Sequence, residues 1–132
     1  MILLDTQVLL WLRSPDTRLG SRARSLADQA WKRGDAAVSA ITFWELTMLW
    51  TKSRIALPTD PRTFRRSLLD SGLAEIPFDG AIGIRAGLLS NLHGDPADRI
   101  IVATAQDGHQ LLTTDRRILA WDGPLDRVDA RQ

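Results

Sequence analysis

Apolar positions along the chain follow two alternating patterns, short continuous runs and longer stretches with helical spacing. The short runs have the length and composition of strands buried in a sheet. They cover residues 2 to 5, 36 to 39, 74 to 77 and 111 to 115. The run AEIP at 74 to 77 has the character of an edge strand.

The stretches between these runs repeat apolar residues at the spacing of amphipathic helices. We predict helices over residues 21 to 33, about 40 to 53, 62 to 71, 79 to 92, and from Pro96 to about Gly108. The last helix has the clearest beginning, because Asp95 suits the N-cap and Pro96 the first helical position. The helix over about 40 to 53 is apolar around most of its circumference, so we expect it to be buried or covered by a partner.

The alternation of strands and helices predicts the fold class. Strands separated by helices pair in parallel, which gives an α/β fold with a mainly parallel central sheet and helices on both faces. Such an α/β/α sandwich has right-handed crossovers. Because no repeat, low-complexity segment or linker interrupts the 132 residues, we expect one domain over residues 1 to 132.

Composition narrows the class of protein further. Hydrophobic residues make up 44% of the chain and charged residues 25%, as in ordinary globular proteins. The lack of cysteine excludes disulfides and thiolate zinc sites, and it favours a cytoplasmic protein. Asp5 and Arg13 interrupt the apolar N-terminus, so we predict neither a signal peptide nor a membrane span. With a net charge of only +1, the arginine runs are either solvated helix faces or local nucleic-acid contacts.

Acidic residues occupy the positions where α/β proteins bind ligands. Asp5 and Asp115 each end a predicted strand, and ligands of parallel sheets bind outside the carboxyl ends of the strands. Asp98 lies in the first turn of the helix that precedes the second of these strands, and Glu45 lies one turn into the helix that follows AAVS. We therefore expect these four carboxylates to face one crevice.

Each carboxylate also has a purely structural interpretation. Asp98 complements a helix N-terminus, and Asp5 or Asp115 can initiate a turn. Glu45 can close a capping box with Thr42. Glu45 is the hardest to explain in this way, because its neighbours on the helix are apolar and an unpaired buried carboxylate is costly.

A divalent cation would explain why the carboxylates gather. Two like charges about 4 Å apart repel by roughly 4 kcal/mol at an effective dielectric near 20, and a bound cation removes that cost. Oxygen ligands without cysteine or a histidine-rich motif favour Mg²⁺ or Mn²⁺ over Zn²⁺. We interpret His93 and His109 as loop or helix-end residues and assign Asp95 to the helix cap.

Four segments carry a resemblance to a known family. LLDTQVLLWL, SAITFWELTML, HGDPADRIIVATA and LLTTDRRI resemble, in order and spacing, the PIN-domain ribonucleases, and in particular the VapC-type toxins of bacterial VapBC toxin–antitoxin pairs. The resemblance covers nearly the whole chain. It implies a PIN-like fold in which Asp5, Glu45, Asp98 and Asp115 are the catalytic and metal-binding residues. Gln7 stands where many similar sequences carry histidine, which leaves the role of that side chain open.

The resemblance implies a function and a set of partners. The protein would be a Mg²⁺- or Mn²⁺-dependent endoribonuclease, the toxin of a type II pair, that cleaves tRNA or rRNA and so stops translation and growth. Asp5, Asp98 and Asp115 would bind metal, and Glu45 would bind metal or position water. The partners would be the RNA substrate, a VapB-type antitoxin, a second copy of the chain, and DNA only through the antitoxin.

Two other interpretations stay open from the residues alone. The first keeps the PIN fold but makes the protein a non-catalytic binding module whose acidic cluster docks a basic segment. The second treats ILLDTQ as the beginning of a phosphoaspartyl phosphatase. That mechanism needs an acid where Gln7 stands and a late lysine, whereas the only lysines are Lys32 and Lys52.

Overall fold

The computed structural model describes residues Met1–Gln132. The strands are β1 Ile2–Leu4, β2 Ala36–Ser39, β3 Ala74–Ile76, β4 Gln110–Thr113 and β5 Arg127–Asp129. The helices are α1 Thr6–Leu12, α2 Ser21–Lys32, α3 Ile41–Thr51, α4 Pro61–Asp70, α5 Gly80–Leu88, α6 Pro96–Ala105 and α7 Arg116–Leu119. The strands form one sheet in the order β3-β2-β1-β4-β5, and every neighbouring pair is parallel.

Helices cover both faces of the sheet, as the strand and helix alternation predicted. Leu3 and Leu4 are adjacent on β1 and point to opposite faces. Leu4 belongs to the core formed with α1, α2 and α4, whereas Leu3 belongs to the core formed with α6. Both side chains are fully buried. The α/β/α sandwich is therefore confirmed, and the sheet is wholly rather than mainly parallel.

The predicted elements are present with small shifts at their ends, and three elements were missed. The predicted edge strand is β3, at one edge of the sheet. The predicted helix over 79 to 92 is wrong at its end, since α5 stops at Leu88. The missed elements are α1, α7 and β5. Helix α1 gives no amphipathic signal because Thr6, Val8, Leu9, Trp11 and Leu12 are all buried, and β5 is a half-buried strand of only 3 residues.

Aspartates begin most of the helices by accepting hydrogen bonds from backbone N–H groups of the first turn. These caps are Asp5 for α1, Asp60 for α4, Asp79 for α5, Asp95 for α6 and Asp115 for α7. The caps of α1 and α7 follow β1 and β4, which are neighbours at the centre of the sheet. This topology brings Asp5 and Asp115 together at the carboxyl ends of the two central strands. None of the helices has both the length and the apolar character that crossing a membrane requires.

Candidate metal centre

A cleft of about 140 Å³ opens at the carboxyl ends of β1 and β4. All four carboxylates singled out in the sequence line it. The lining residues are Asp5, Thr6, Gln7, Leu10, Glu45, Leu49, Asp98, Thr114 and Asp115. Asp5 and Asp115 reach the cleft because they follow the carboxyl ends of β1 and β4. Glu45 and Asp98 reach the same opening from near the beginnings of α3 and α6.

Asp5 is held firmly by the protein. Its Oδ1 accepts a hydrogen bond from the backbone N–H of Val8 at 2.8 Å. Its Oδ2 accepts from the Thr113 hydroxyl at 2.6 Å and from the Thr114 N–H at 3.3 Å. The residue is only 7% exposed, and this burial raises the pKa of the Asp5 carboxyl even though the three hydrogen bonds oppose the rise. Asp5 is both a helix cap and a cleft carboxylate.

Asp115 has a similar position but a different electrostatic environment. Its Oδ1 accepts from the backbone N–H groups of Arg117 at 2.8 Å and Ile118 at 3.3 Å. Its Oδ2 lies 3.0 Å from the Arg117 guanidinium. Partial burial favours the neutral form, but the Arg117 side chain and the backbone donors outweigh it and lower the pKa of Asp115. Asp115 therefore keeps its charge more easily than Asp5 does.

Glu45 lies in the second turn of α3 and is half-buried. The capping-box interpretation is wrong, because α3 follows Ala40 without a side-chain cap, and the Thr42 hydroxyl instead lies 3.1 Å from that of Thr6. Burial raises the pKa of Glu45, and the charges of Asp95 and Asp5 add to the rise, while the Thr6 hydroxyl opposes it. No cation of the protein forms an ion pair with Glu45.

Asp98 lies in the first turn of α6, and its backbone N–H donates to Asp95 Oδ1 at 3.1 Å. The predicted cap role of Asp95 is thereby confirmed. The Asp98 Oδ2 lies 2.8 Å from His93 Nε2. Burial raises the pKa of Asp98 to about 6, and the charges of Asp95, Asp115 and Glu45 add to that rise against the His93 hydrogen bond.

His93 and Arg117 are side chains at the site that the sequence analysis did not assign to it. The loop position predicted for His93 is correct, since this residue lies between α5 and α6. Its Nε2 contacts Asp98 and lies 4.0 Å from Asp115 Oδ2. The spacing of five residues to Asp98 is the only sequence signal, and such a spacing indicates contact only when the loop between them turns back. That turn depends on contacts distant in the sequence.

The donor set of the cleft fits a hard divalent cation. Two groups place possible ligand atoms within 4.8 Å of one another: His93 with Asp98 and Asp115, and Glu45 with Asp95 and Asp98. Most of these atoms are carboxylate oxygens, the ligands that Mg²⁺ and Mn²⁺ prefer. Burial and mutual repulsion raise the pKa values of Asp5, Glu45 and Asp98, and a cation would offset both costs.

The fold is a parallel α/β/α sandwich, and the carboxylate cleft at the strand ends is a candidate divalent-metal centre. Together they place the protein among α/β proteins with an acidic site at the carboxyl ends of the strands. The family model described as PIN domain matches residues 2–123, and the chain belongs to this family. It is similar to Ribonuclease VapC22 from Mycobacterium tuberculosis, with 32% identity over 124 residues that cover 93% of each protein.

Solved structures give the same assignment of the fold. A toxin–antitoxin complex from Klebsiella pneumoniae contains a chain with 25% identity and a TM-score of 0.65, and the match covers 98% of both chains. VapBC2 from Rickettsia felis, bound to a DNA fragment from its promoter, contains a chain with 18% identity and a TM-score of 0.66. That match covers 97% of this chain and 98% of the other.

The phosphatase interpretation finds no support in the cleft. The mechanism needs a lysine beside the nucleophilic aspartate, and no lysine lines the cleft. Lys32 ends α2 and Lys52 follows the end of α3.

Proposed function

We propose that this protein is a metal-dependent endoribonuclease that acts in the cytoplasm as the toxin of a toxin–antitoxin pair. The observation that carries the proposal is the gathering of four carboxylates in one cleft of a PIN-domain chain. The 32% identity to a protein named as a ribonuclease supports RNA as the substrate. By the family resemblance, tRNA or rRNA is the RNA that is cut.

The proposed roles follow from how each carboxylate is held. Asp5 and Asp115 are fixed by backbone donors and present oxygens in constant positions. Asp98 completes the site from α6, and Glu45 binds the ion or orients the attacking water. A bound Mg²⁺ or Mn²⁺ would supply an activated water and a counter-charge for the scissile phosphate. Burial raises the pKa of Glu45, so this carboxylate accepts a proton more readily than an exposed glutamate does.

The arginine runs divide into structural side chains and free ones. Arg24 donates to the carbonyl oxygens of four residues at the end of α1 and in the turn that follows it, and Arg65 pairs with Glu75 at 2.7 Å. Arg62 and Arg66 on α4 are exposed and form no ion pair. We propose that these free arginines, and Arg117 beside the cleft, hold RNA phosphates.

A protein partner would explain the groove that adjoins the cleft. The groove measures about 290 Å³, shares Gln7 and Leu10 with the cleft, and has apolar walls that include Trp11 and Phe64. We propose that a segment of the antitoxin lies in it and extends a basic side chain toward the carboxylates. The toxin–antitoxin complexes among the similar structures support such a partner, and any DNA contact would be made through the antitoxin.

A second copy of the chain is the other proposed partner. Large apolar side chains remain exposed on α3, on α5 and in the segment before α5. They are Trp44 (54%), Trp50 (39%), Phe78 (45%), Ile84 (68%) and Leu88 (77%). If they form a dimer interface, Trp50→Glu should convert the dimer to a monomer in light scattering with an unchanged circular dichroism spectrum. An unchanged mass would place the interface elsewhere.

Cleavage of RNA by the purified protein tests the proposed function. We expect cleavage of a total tRNA and rRNA pool with Mg²⁺ or Mn²⁺, none in EDTA, and a loss of about 100-fold or more for Asp98→Asn. Asp28→Asn is the matched control, because Asp28 is exposed on α2, away from the cleft. Cleavage in EDTA or by Asp98→Asn would contradict the proposal, and RNA binding without cleavage would favour the non-catalytic binding module.

A further inference from the structure

The loop between α5 and α6 carries His93 into the acidic cluster. The His93 side chain is 14% exposed, and its Nε2 lies 2.8 Å from Asp98 Oδ2 and 4.0 Å from Asp115 Oδ2. Because an ionised carboxylate can only accept a hydrogen bond, we assign the hydrogen to Nε2, which donates to Asp98. Because Oδ2 accepts this bond, Oδ1 is the Asp98 oxygen without a hydrogen-bond donor from the protein.

Arg99, the residue after Asp98, holds the same loop. Its guanidinium donates to the carbonyl oxygens of five residues around the end of α5 and the loop. They are Ala86, Gly87, Leu89, Leu92 and His93. Trp121 adds a hydrogen bond from its indole N–H to the Ser90 carbonyl at 2.9 Å. These contacts hold the backbone beyond the end of α5 at Leu88, from which the His93 ring reaches Asp98.

We propose that His93 is a positioning residue for the metal centre: its ring N–H orients the Asp98 carboxylate, and Arg99 fixes the loop that presents the ring. The inference rests on the proposed function, because it concerns the same site. Asp98 is surrounded by the carboxylates of Glu45, Asp95 and Asp115, which repel it. A donor on one oxygen keeps the carboxylate in the cluster and leaves the other oxygen for the cation.

Arg117 cannot hold Asp98 as rigidly. Its guanidinium lies 3.8 Å from Asp98 Oδ2 and its side chain is 62% exposed, whereas the His93 ring is largely enclosed. A long exposed side chain retains conformational freedom that the enclosed ring has lost. The hydrogen bond from His93 is therefore the contact that sets the orientation of Asp98.

Calorimetric titration of the full-length protein with Mn²⁺ tests the inference with a readout other than activity. His93→Ala removes the donor and should weaken Mn²⁺ binding at least about tenfold. His93→Gln retains an N–H donor on a side chain of similar reach and should bind within about threefold of the wild type, by the same reasoning. Equal weakening in both variants, or wild-type affinity in His93→Ala, would overturn the proposal.

Hydrogen exchange separates the role of His93 from that of Arg99. Arg99→Lys loses the planar fork of donors, so amides of residues 86 to 94 should exchange faster and Mn²⁺ binding should also weaken. His93→Ala should leave exchange in this segment unchanged. Unfolding or faster loop exchange in His93→Ala would assign the ring a structural role and contradict the proposal. Absence of Mn²⁺ binding by the wild type would instead refute the proposed metal centre.

Discussion

The two pairs of carboxylates in the cleft are held in different ways. Asp5 and Asp115 follow central strands, cap the next helices and accept hydrogen bonds from backbone N–H groups. Glu45 and Asp98 project from within helices α3 and α6 and receive no hydrogen bond from a backbone N–H. Backbone donors thus tie the strand-end pair to the fold; they help to lower the pKa of Asp115 but do not outweigh the burial of Asp5. The helix-borne pair lacks such donors, and burial raises both of its pKa values.

Because of this difference, substitutions in the two pairs should change the stability of the fold in opposite directions. Removing a strand-end carboxylate leaves backbone donors without partners, so the fold should weaken with or without metal. Removing a helix-borne carboxylate relieves burial and repulsion, so the metal-free fold should gain stability while the site loses a ligand. The variants below test this contrast, from the largest expected change in stability to the smallest.

Asp5→Ala should lower the free energy of unfolding by about 2–4 kcal/mol, because it leaves the N–H groups of Val8 and Thr114 and the Thr113 hydroxyl without their acceptor. Urea denaturation in EDTA measures the change. Asp28→Ala, at an exposed position of α2, is the control and should change stability by less than about 0.5 kcal/mol. A similarly small change for Asp5→Ala would show that its hydrogen bonds do not stabilise the fold.

Asp98→Asn should stabilise the metal-free protein by about 1–3 kcal/mol at pH 7.5, from 1.36 kcal/mol per pKa unit. The pKa of Asp98 rises from 3.8 to about 6, so the folded state binds this proton more tightly than the unfolded state. The wild type therefore loses that stability as pH rises through about 6.

Urea denaturation of the wild type and Asp98→Asn at several pH values in EDTA measures this dependence. The difference between the two proteins should grow between the unfolded-state pKa of 3.8 and the folded-state pKa of about 6, and it should nearly vanish at pH 3, where Asp98 is protonated in both states. A difference that is constant with pH would show that the substitution acts through packing rather than through charge.

Asp115→Ala should destabilise the fold by about 1 kcal/mol at neutral pH, the usual value of an N-cap. The Asp115 carboxylate caps the short α7. Its lowered pKa also adds stability, which is present above the pKa of the unfolded state and is lost as the pH falls through the pKa of the folded state. Thermal melts at pH 7 and pH 3 measure both effects. If Asp115→Ala is as stable as the wild type at pH 7, Asp115 does not stabilise the fold in the way proposed for Asp5.

The positions of Asp5 and Asp115 at the cleft could be predicted from the sequence, because a buried strand followed by aspartate is a local pattern. The beginning of α6 was equally local. Glu45 was placed at the crevice by its position one turn into the helix after AAVS, by its apolar neighbours and by the family resemblance. Its cap interpretation failed because α3 begins at a different residue. His93 could not be assigned, since its contact with Asp98 depends on a loop held by Arg99 and Trp121.

The most direct test of the metal centre is a comparison of thermal melts of the wild type and Asp98→Asn at pH 7.5, in EDTA and in excess Mn²⁺. The account predicts a reversal: Asp98→Asn melts above the wild type in EDTA and below it in Mn²⁺. Binding at a thousandfold excess over Kd stabilises the wild type by about 4.1 kcal/mol, which exceeds the advantage of the variant in EDTA, and the variant loses most of that gain. A wild type that Mn²⁺ does not stabilise, or the same order of melting temperatures in both conditions, would contradict the account.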